Sequence, residues 1–345
     1  MRLSELTTLR LGGPAARYLE ATSEQAVIDA VTEADRAGKP LLVLAGGSNL
    51  VVADEGFPGT VVRIATRGVA REGSALEVAA GEPWDPLAAC CVAGGLAGVE
   101  CLAGIPGSVG ATPIQNVGAY GQEVAETIAA VRVLDRADSA VRTLAPSDCG
   151  FTYRSSAFKR EPGRWVVLAV RYALEASGRS APIRYPELAR ALGIEVGARA
   201  ALADVREAVL ALRRGKGMVL DPGDADTVSA GSFFTNPVLD TGAFAALRAR
   251  AVERLGPDAA PPAWPDADGH VKTSAAWLIE RAGFHRGHGN PKGIAISGKH
   301  TLALTNRGAG TTAELVALAR EIAEGVQDAF DVALVPEPVL VGPRW

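Results

Sequence analysis

The chain has 345 residues, 48% hydrophobic and 21% charged, a balance that excludes intrinsic disorder and predicts more than one core, since domains usually run to about 100–200 residues. Its formal net charge of −4 argues against a general nucleic-acid or anionic-membrane binder, so an anionic ligand must be held by a local cation cluster. The opening Met1-Arg2-Leu3-Ser4-Glu5-Leu6 lacks the basic-then-apolar run of a secretory signal, and no stretch reaches the roughly 18 apolar residues of a membrane span; a cytoplasmic protein without membrane insertion is expected.

A helix is predicted from Thr22 to Gly38, with Thr22 and Gln25 as a capping pair, Val27, Ile28 and Val31 at helical spacing, and Gly38 and Pro40 ending the run. Leu41-Leu42-Val43-Leu44 reads as a buried strand that enters the turn Ala45-Gly46-Gly47-Ser48-Asn49-Leu50 directly, an α/β order. Two strand-like runs, Val61–Ile64 and Leu76–Ala79, precede an Ala-rich helix between Trp84 and Gly94. Residues 103–121 are rich in glycine and poor in periodicity, the mark of an ordered functional loop. Strands are expected at Ala129–Asp135 and Trp165–Leu174, then a helix over about Leu202–Arg214 with Val205, Val209 and Leu212 on one face. The Gly- and Asp-rich stretch Gly215–Ser229 is the expected domain boundary.

Beyond it, Gly256–Gly269 reads as a surface loop and Ser274–Ala282 as a short helix whose Trp277-Leu278-Ile279 is core. A long amphipathic helix runs from Thr312 to about Phe330, opened by the capping box Thr311/Glu314 and striped by Leu315, Leu318, Ala319, Ile322 and Val326. A terminal strand over Val332–Gly342 closes the chain. Cys90, Cys91, Cys101 and Cys149 contain no C-x-x-C pair and read as small buried apolar residues, neither a disulfide framework nor a metal site.

Two glycine clusters carry chemistry. In Gly46-Gly47-Ser48-Asn49-Leu50 a strand ends in residues without Cβ, so backbone N–H groups can converge on a diphosphate while Ser48 and Asn49 add donors. Gly104-Ile105-Pro106-Gly107-Ser108-Val109-Gly110 repeats the pattern, followed by Gln115-Asn116-Val117-Gly118-Ala119-Tyr120-Gly121. Neither is the G-x-G-x-x-G fingerprint, so a Rossmann cofactor domain is not supported. Taken alone, a Gly-Gly-Ser-Asn turn reads first as an ordinary turn, because glycine and asparagine are default turn residues; a second such cluster weakens that reading.

Together these segments resemble the FAD-binding half of the MurB reductases, the UDP-N-acetylenolpyruvoylglucosamine reductase family. Tyr153-Arg154-Ser155-Ser156-Ala157-Phe158-Lys159, Ala230-Gly231-Ser232-Phe233-Phe234-Thr235-Asn236-Pro237 and Val335-Pro336-Glu337-Pro338 extend the resemblance over essentially the whole chain. The resemblance implies an α+β protein with a PCMH/VAO-type FAD-binding fold of two α/β subdomains, residues 1–68 and 69–218, and a smaller α+β substrate-binding domain, residues 219–331, with residues 332–345 packing back near the active site. It implies that Gly46, Gly47, Ser48, Asn49 and Leu50, with Ile105, Pro106, Gly107, Ser108 and Gly110, cradle the FAD diphosphate. Gln115, Asn116, Gly118, Ala119, Tyr120 and Gly121 would line the same cleft. No histidine or cysteine near the loops points to a covalent tether, so FAD is expected to be held non-covalently.

The implied reaction is an NADPH-dependent, flavin-mediated reduction of an enolpyruvyl ether on a UDP-sugar, a step of peptidoglycan precursor synthesis and hence of cell-wall biogenesis, cell shape and division. Negative charge develops beside the substrate carboxylate, so the site needs fixed positive charge and one proton. Arg154 meets the first need with its permanently charged fork. Ser232 donates the proton to C2, and Glu337 polarises the intermediate or relays a proton.

For the substrate's phosphates, Arg213, Arg214 and Lys216 form the candidate cluster, with Lys216 at the family's phosphate-binding lysine and Arg213 beside it. Tyr185 resembles the tyrosine that closes over the diphosphate in the longer, type I members; Asn236 is expected on the nucleotide. The resemblance also implies substrate contacts for Trp264, which stands where an aromatic residue is common in the type I pattern, and for His300, at a position where a polar side chain often reaches the ligand. Many members carry an arginine two residues after the glutamate, where Val339 stands here. Small-molecule partners and a monomer are expected. A sugar-alcohol oxidase of the same fold and a catalytically silent nucleotide-sugar-binding protein are the competing readings; Arg154, Ser232 and Glu337 speak against the second.

Overall fold

The computed structural model describes residues 1–345, the side chain of residue 267 excepted. The chain forms two compact units, one of Met1, Ala15–Gly47 and Phe57–Leu220, the other of Arg2–Pro14, Ser48–Gly56 and Asp221–Trp345.

In the first unit Phe57–Ile64 is the middle strand of a three-stranded parallel sheet, flanked by Ala15–Ala21 and Leu41–Leu44. Strands that run parallel need a crossover, and the helix Glu24–Arg36 supplies the one between the two outer strands, burying Val27, Val31 and Ala34. Its N-cap is Ser23, not the expected Thr22: Ser23 holds the extended backbone a cap requires, and its hydroxyl accepts the N–H of Ala26 at 3.2 Å.

A five-stranded antiparallel sheet follows in the order Ala140–Leu144, Ile128–Asp135, Trp165–Ala173, Ala75–Ala79, Val69–Glu72. Its central strand reads as a nearly unbroken apolar run, Val166–Val170, because both faces are covered. Trp84, on the helix Trp84–Ala93, and Tyr172 are fully buried, each with its polar end matched: Trp84 Nε1 donates to the carbonyl of Leu102 at 2.9 Å, and the Tyr172 hydroxyl meets that of Thr112 at 3.0 Å. The helices Pro186–Leu192 and Leu202–Gly215 close a smaller core around Ile183, Leu188, Val205 and Val209.

The second unit packs the helices Thr241–Leu255, Ala275–Arg281 and Thr312–Phe330 around a three-stranded sheet ordered Ser229–Ser232, Ala303–Asn306, Ile294–Ile296. Leu278 and Ile279 are buried core, as expected. Thr311 caps the long helix by accepting the N–H of Glu314 at 3.1 Å, while the Glu314 carboxylate takes the amide of Asn290 at 2.8 Å. The helix Thr241–Leu255 has no counterpart among the expected elements. It buries only Leu247 and Ala251, so its apolar period is weak.

Two other expectations need correction. Trp264-Pro265, inside the supposed loop 256–269, pairs with Val271–Lys272 as a short edge strand. The terminal strand is confined to Val339–Val341, parallel to Leu50–Val52, because Pro336 and Pro338 have no N–H to give a ladder.

Candidate active site

In the first unit the two glycine loops meet backbone to backbone. A Cβ built on Gly46 would stand 2.6 Å from Cα of Gly107 and 2.9 Å from its carbonyl carbon, an approach only glycine permits. The loop around Gly107 is pinned to the preceding segment: Gly107 C=O accepts from Trp84 N–H at 3.1 Å, Val109 N–H donates to Glu82 at 2.8 Å and Gly110 N–H to Ala80 at 2.8 Å. Ser108 lies between these anchors, 4% exposed, and its hydroxyl has no hydrogen-bond partner in the protein. Such an orphan costs about 1–3 kcal/mol; a polar ligand beside this backbone cradle would remove that cost. These residues fit the diphosphate-bearing part of a flavin dinucleotide.

Ile105 is half-buried against the core and Pro106 is half-buried beside it. Ser48, Asn49 and Leu50 belong to the second unit. The Ser48 carbonyl is met by the Thr8 hydroxyl at 3.5 Å, and Leu50 opens the strand paired with Val339–Val341. Asn49 accepts the N–H of Val339 at 2.9 Å and donates its amide to the carbonyl of Glu337 at 3.4 Å.

Gly118-Ala119 and Gln122-Glu123 form a hairpin whose two central residues, Tyr120 and Gly121, both have positive φ, as a type I′ turn demands. Asn116, buried and at φ +47°, occupies its whole side chain: it donates to Glu123 at 2.6 Å and to the Thr152 carbonyl at 3.1 Å and accepts from Ala125 N–H at 3.2 Å. Gln115 is half-buried just before it.

Arg154 is positioned by that construction. Thr152 and Ser155 exchange both backbone hydrogen bonds, at 3.0 and 3.1 Å, which leaves Tyr153 and Arg154 at a tight turn with Arg154 at φ +52°. Its guanidinium donates to the Gly118 carbonyl at 2.6 Å and the Asn116 carbonyl at 3.4 Å and lies 5.4 Å from the centre of the Tyr153 ring. Lys159 Nζ donates to the Arg154 carbonyl at 3.2 Å, and Ser156 Oγ to the Ile114 carbonyl at 2.5 Å. Lys159 stands in the Tyr153–Lys159 motif, and nothing in the local pattern marks it as the partner of the Arg154 carbonyl.

In the second unit Ser232 ends the strand Ser229–Ser232 opposite Ala303. The residues after it pair across about a hundred positions: Glu337 N–H donates to Phe233 C=O at 2.8 Å, Phe234 faces Pro336, and Thr235 N–H donates to Val335 C=O at 3.0 Å. Ser232 and Glu337 thus sit on neighbouring paired segments, each half-buried.

The substrate candidates are distributed over both units. Tyr120 and Tyr185 meet edge to face at 5.4 Å, and Lys216 Nζ lies 5.7 Å from the Tyr120 ring while pairing with Glu187 at 2.7 Å. Burial pushes the Tyr120 phenol up to about 12 against the pull of Arg213. Arg213 turns inward to the carbonyls of Gly104 (3.3 Å) and Met218 (2.8 Å), whereas Arg214 turns outward to Glu207 at 3.2 Å, so the three cations form no single cluster. In the second unit Asn236 accepts Ala275 N–H at 3.0 Å, Trp264 is exposed on its edge strand opposite Lys272, and His300 N–H donates to Ser297 at 3.2 Å. Val339 is exposed at the head of its strand. Cys90 is exposed, correcting the expectation that all four cysteines are buried: it falls on the outer face of a helix whose inner face takes Cys91.

Residues 15–145 match the family described as FAD binding domain, which makes this mixed helix-and-strand chain an FAD-binding protein of the PCMH type, and the interlocked glycine loops and orphan buried hydroxyl fit that class. Residues 221–341 match that described as UDP-N-acetylenolpyruvoylglucosamine reductase, C-terminal domain. The UDP-N-acetylenolpyruvoylglucosamine reductase of Streptomyces avermitilis is 60% identical over 99% of this chain and 93% of its own, and that of Streptomyces coelicolor 61% identical over 99% and 89%. The crystal structure of UDP-N-acetylenolpyruvylglucosamine reductase (MurB) from Thermus caldophilus matches with a TM-score of 0.67 at 26% identity, covering 99% of this chain and 97% of that one. The chain belongs to the UDP-N-acetylenolpyruvoylglucosamine reductase family, as the motifs led one to expect.

Proposed function

We propose that this chain is a UDP-N-acetylmuramate dehydrogenase: it reduces UDP-N-acetyl-3-O-(1-carboxyvinyl)-glucosamine to UDP-N-acetylmuramate with NADPH, in peptidoglycan precursor synthesis. The observation that carries the reading is identity of about 60% to reductases of that name along almost the entire chain. The Gly46/Gly107 cradle and Ser108 would hold FAD non-covalently, and the chemistry it would supply when bound is hydride transfer between NADPH and the enolpyruvyl group.

The protein's residues supply charge and a proton. Arg154, its backbone held in the left-handed region and its fork aimed by the Gly118 carbonyl, offers a fixed cation to the carboxylate and to the charge that builds beside it. The Ser232 hydroxyl delivers a proton to C2, whose basicity in the developing carbanion makes even a weak acid competent. Glu337, anchored through its backbone to Phe233, polarises the same centre or returns the proton. Lys216 and Tyr185 hold the diphosphate, with Asn236, Trp264 and His300 on the sugar-nucleotide. Residues 1–68 and 69–218 are the flavin-binding subdomains and 219–331 the substrate domain. Among the described residues no helix is long and apolar enough to cross a membrane, and a cytoplasmic monomer completes the reading.

Anaerobic flavin reoxidation tests it: the flavin, once reduced by NADPH, is expected to reoxidise rapidly on adding the enolpyruvyl UDP-sugar. Reoxidation by oxygen alone, with the UDP-sugar inert, would make the protein an oxidase instead.

A further inference from the structure

The loop that presents Ser108 is held by Trp84, Asp85 and Arg213, and Trp84 and Asp85 have no role in the reaction as described so far. Its two limbs straddle the start of the helix Trp84–Ala93: Leu102 C=O accepts from the Trp84 indole at 2.9 Å, and Gly107 C=O from the Trp84 backbone at 3.1 Å. Between them Gly104, at φ +70°, is gripped from both sides. Its N–H donates to Asp85 Oδ1 at 2.7 Å, and its carbonyl accepts from Arg213 at 3.3 Å. A Cβ there would meet Leu210 at 2.8 Å, so Gly104 is fixed by packing as well.

Asp85 is itself fixed. Arg206, from the helix Leu202–Gly215, donates to both its oxygens at 2.8 and 3.1 Å, the fork geometry that constrains a carboxylate in angle as well as distance. Burial would raise the Asp85 carboxyl, but the hydrogen bonds from Arg206 and Gly104 and the charges of Arg206 and Arg213 outweigh it and hold the group below its usual range. Arg213 is half-buried, and its Nε is buried with no protein acceptor to meet it. Exposed ion pairs contribute little; this part-buried one also commits a carboxylate oxygen to the positive-φ glycine of a ligand loop, a use beyond stability.

We propose that Asp85 and Arg206 are positioning residues for the flavin: the pair sets the Gly104 peptide, and through it the Gly104–Gly110 loop, in the conformation that binds FAD. This inference rests on the flavin reading of the loop. It assigns the two residues no contact with the cofactor or the substrate.

The test measures the FAD dissociation constant and the melting temperature of the apoprotein for the full chain and for Asp85→Asn, Arg206→Met, the double variant and Arg206→Lys. Asp135→Asn, which breaks an ion pair in the five-stranded sheet of the same unit, is the control for general destabilisation. Removing one partner of a hydrogen-bonded ion pair is expected to weaken FAD binding about tenfold or more. The double variant should be no weaker than the worse single one, and Arg206→Lys should recover part of the loss. Asp135→Asn should keep wild-type affinity even where its melting temperature falls as far. Arg206→Lys keeps the charge and so serves if the other variants fold poorly. Affinities that track melting temperature across all five variants, or single effects that simply add, overturn the clamp. A wild-type protein that fails to bind FAD would instead remove the cofactor reading on which the clamp depends.

Discussion

The backbone N–H of Glu337 donates to the carbonyl of Phe233 at 2.8 Å, placing the carboxylate on a segment paired with the residues that follow Ser232. The hydrogen bond is main chain to main chain, so it survives replacement of either side chain. Serine and glutamate variants therefore report on chemistry with little contribution from misfolding.

Ser232→Ala is accordingly expected to leave flavin reduction by NADPH near the wild-type rate while slowing reoxidation by the enolpyruvyl UDP-sugar by about 10²- to 10⁴-fold, the usual weight of a positioned proton donor. Stopped-flow absorbance at the flavin band separates the two half-reactions. Equal slowing of both would remove serine from its role.

Arg154 sits at φ +52° with its guanidinium on the Gly118 carbonyl at 2.6 Å. A non-glycine residue in that region costs on the order of 1 kcal/mol and persists where something is gained from it. Arg154→Lys keeps the charge and loses the fork. Reoxidation by substrate should fall on the order of 10²-fold, as for loss of one donor to a developing anion, with NADPH reduction intact. A lysine enzyme as fast as wild type would show that charge alone suffices.

Gly46 provides a steric test. Its φ is not positive, so alanine meets no backbone penalty there, yet its Cβ would reach 2.6 Å from Gly107. Gly46→Ala should purify with little bound flavin and a strongly raised FAD dissociation constant. Gly38→Ala is the counterpart: φ is +60° and nothing lies within 4 Å of its Cβ, so it should cost about 1 kcal/mol of stability and leave flavin content unchanged. Full flavin occupancy in Gly46→Ala would mean the two loops do not form the cradle.

What could be read from the sequence was what local pattern encodes. The long helix Thr312–Phe330 announced itself by a stripe and a cap, and Leu41–Leu44 running into Gly46-Gly47 by a strand that ends in residues without side chains. Cap choice at Thr22 or Ser23 is a one-residue matter that composition does not decide. The pairing of Phe233–Thr235 with Val335–Glu337 joins residues about a hundred apart, and nothing in either segment names its partner. The chain also leaves one unit at Gly47 and returns at Phe57 without any change of composition. Adjacent basic residues looked like one cluster, but Arg213 and Arg214 lie about 100° apart around their helix and so face different surroundings.

The four cysteines divide by exposure. Cys90 is exposed, while burial pushes the thiols of Cys91 and Cys149 up to about 11 and that of Cys101 to about 12. The thiolate is the reactive form, so at pH 8 the folded protein should take up one equivalent of a maleimide quickly and the unfolded chain four. Mass spectrometry of the labelled peptides checks the assignment. Rapid native labelling of Cys101 would show that the segment before Gly104 opens readily.

Asp135 gives the pH dependence. Its side chain is buried, accepts from Arg164 at 3.0 and 3.2 Å and lies 3.3 Å from Arg142; the hydrogen bonds from Arg164 outweigh burial and hold its carboxyl below the usual range. A carboxyl lowered in the folded state binds its proton less readily there than in the unfolded chain. Its contribution is therefore complete above the unfolded value of about 4 and is lost as pH falls through the lower folded value. Asp135→Asn should melt below wild type at pH 7, and the gap should close as the pH drops beneath about 4. Thermal melts at a series of pH values measure it, at low salt because the arginines are partly exposed. A gap that stays constant down to pH 2 would trace the loss to packing of the asparagine and leave the ion pair without a share in stability.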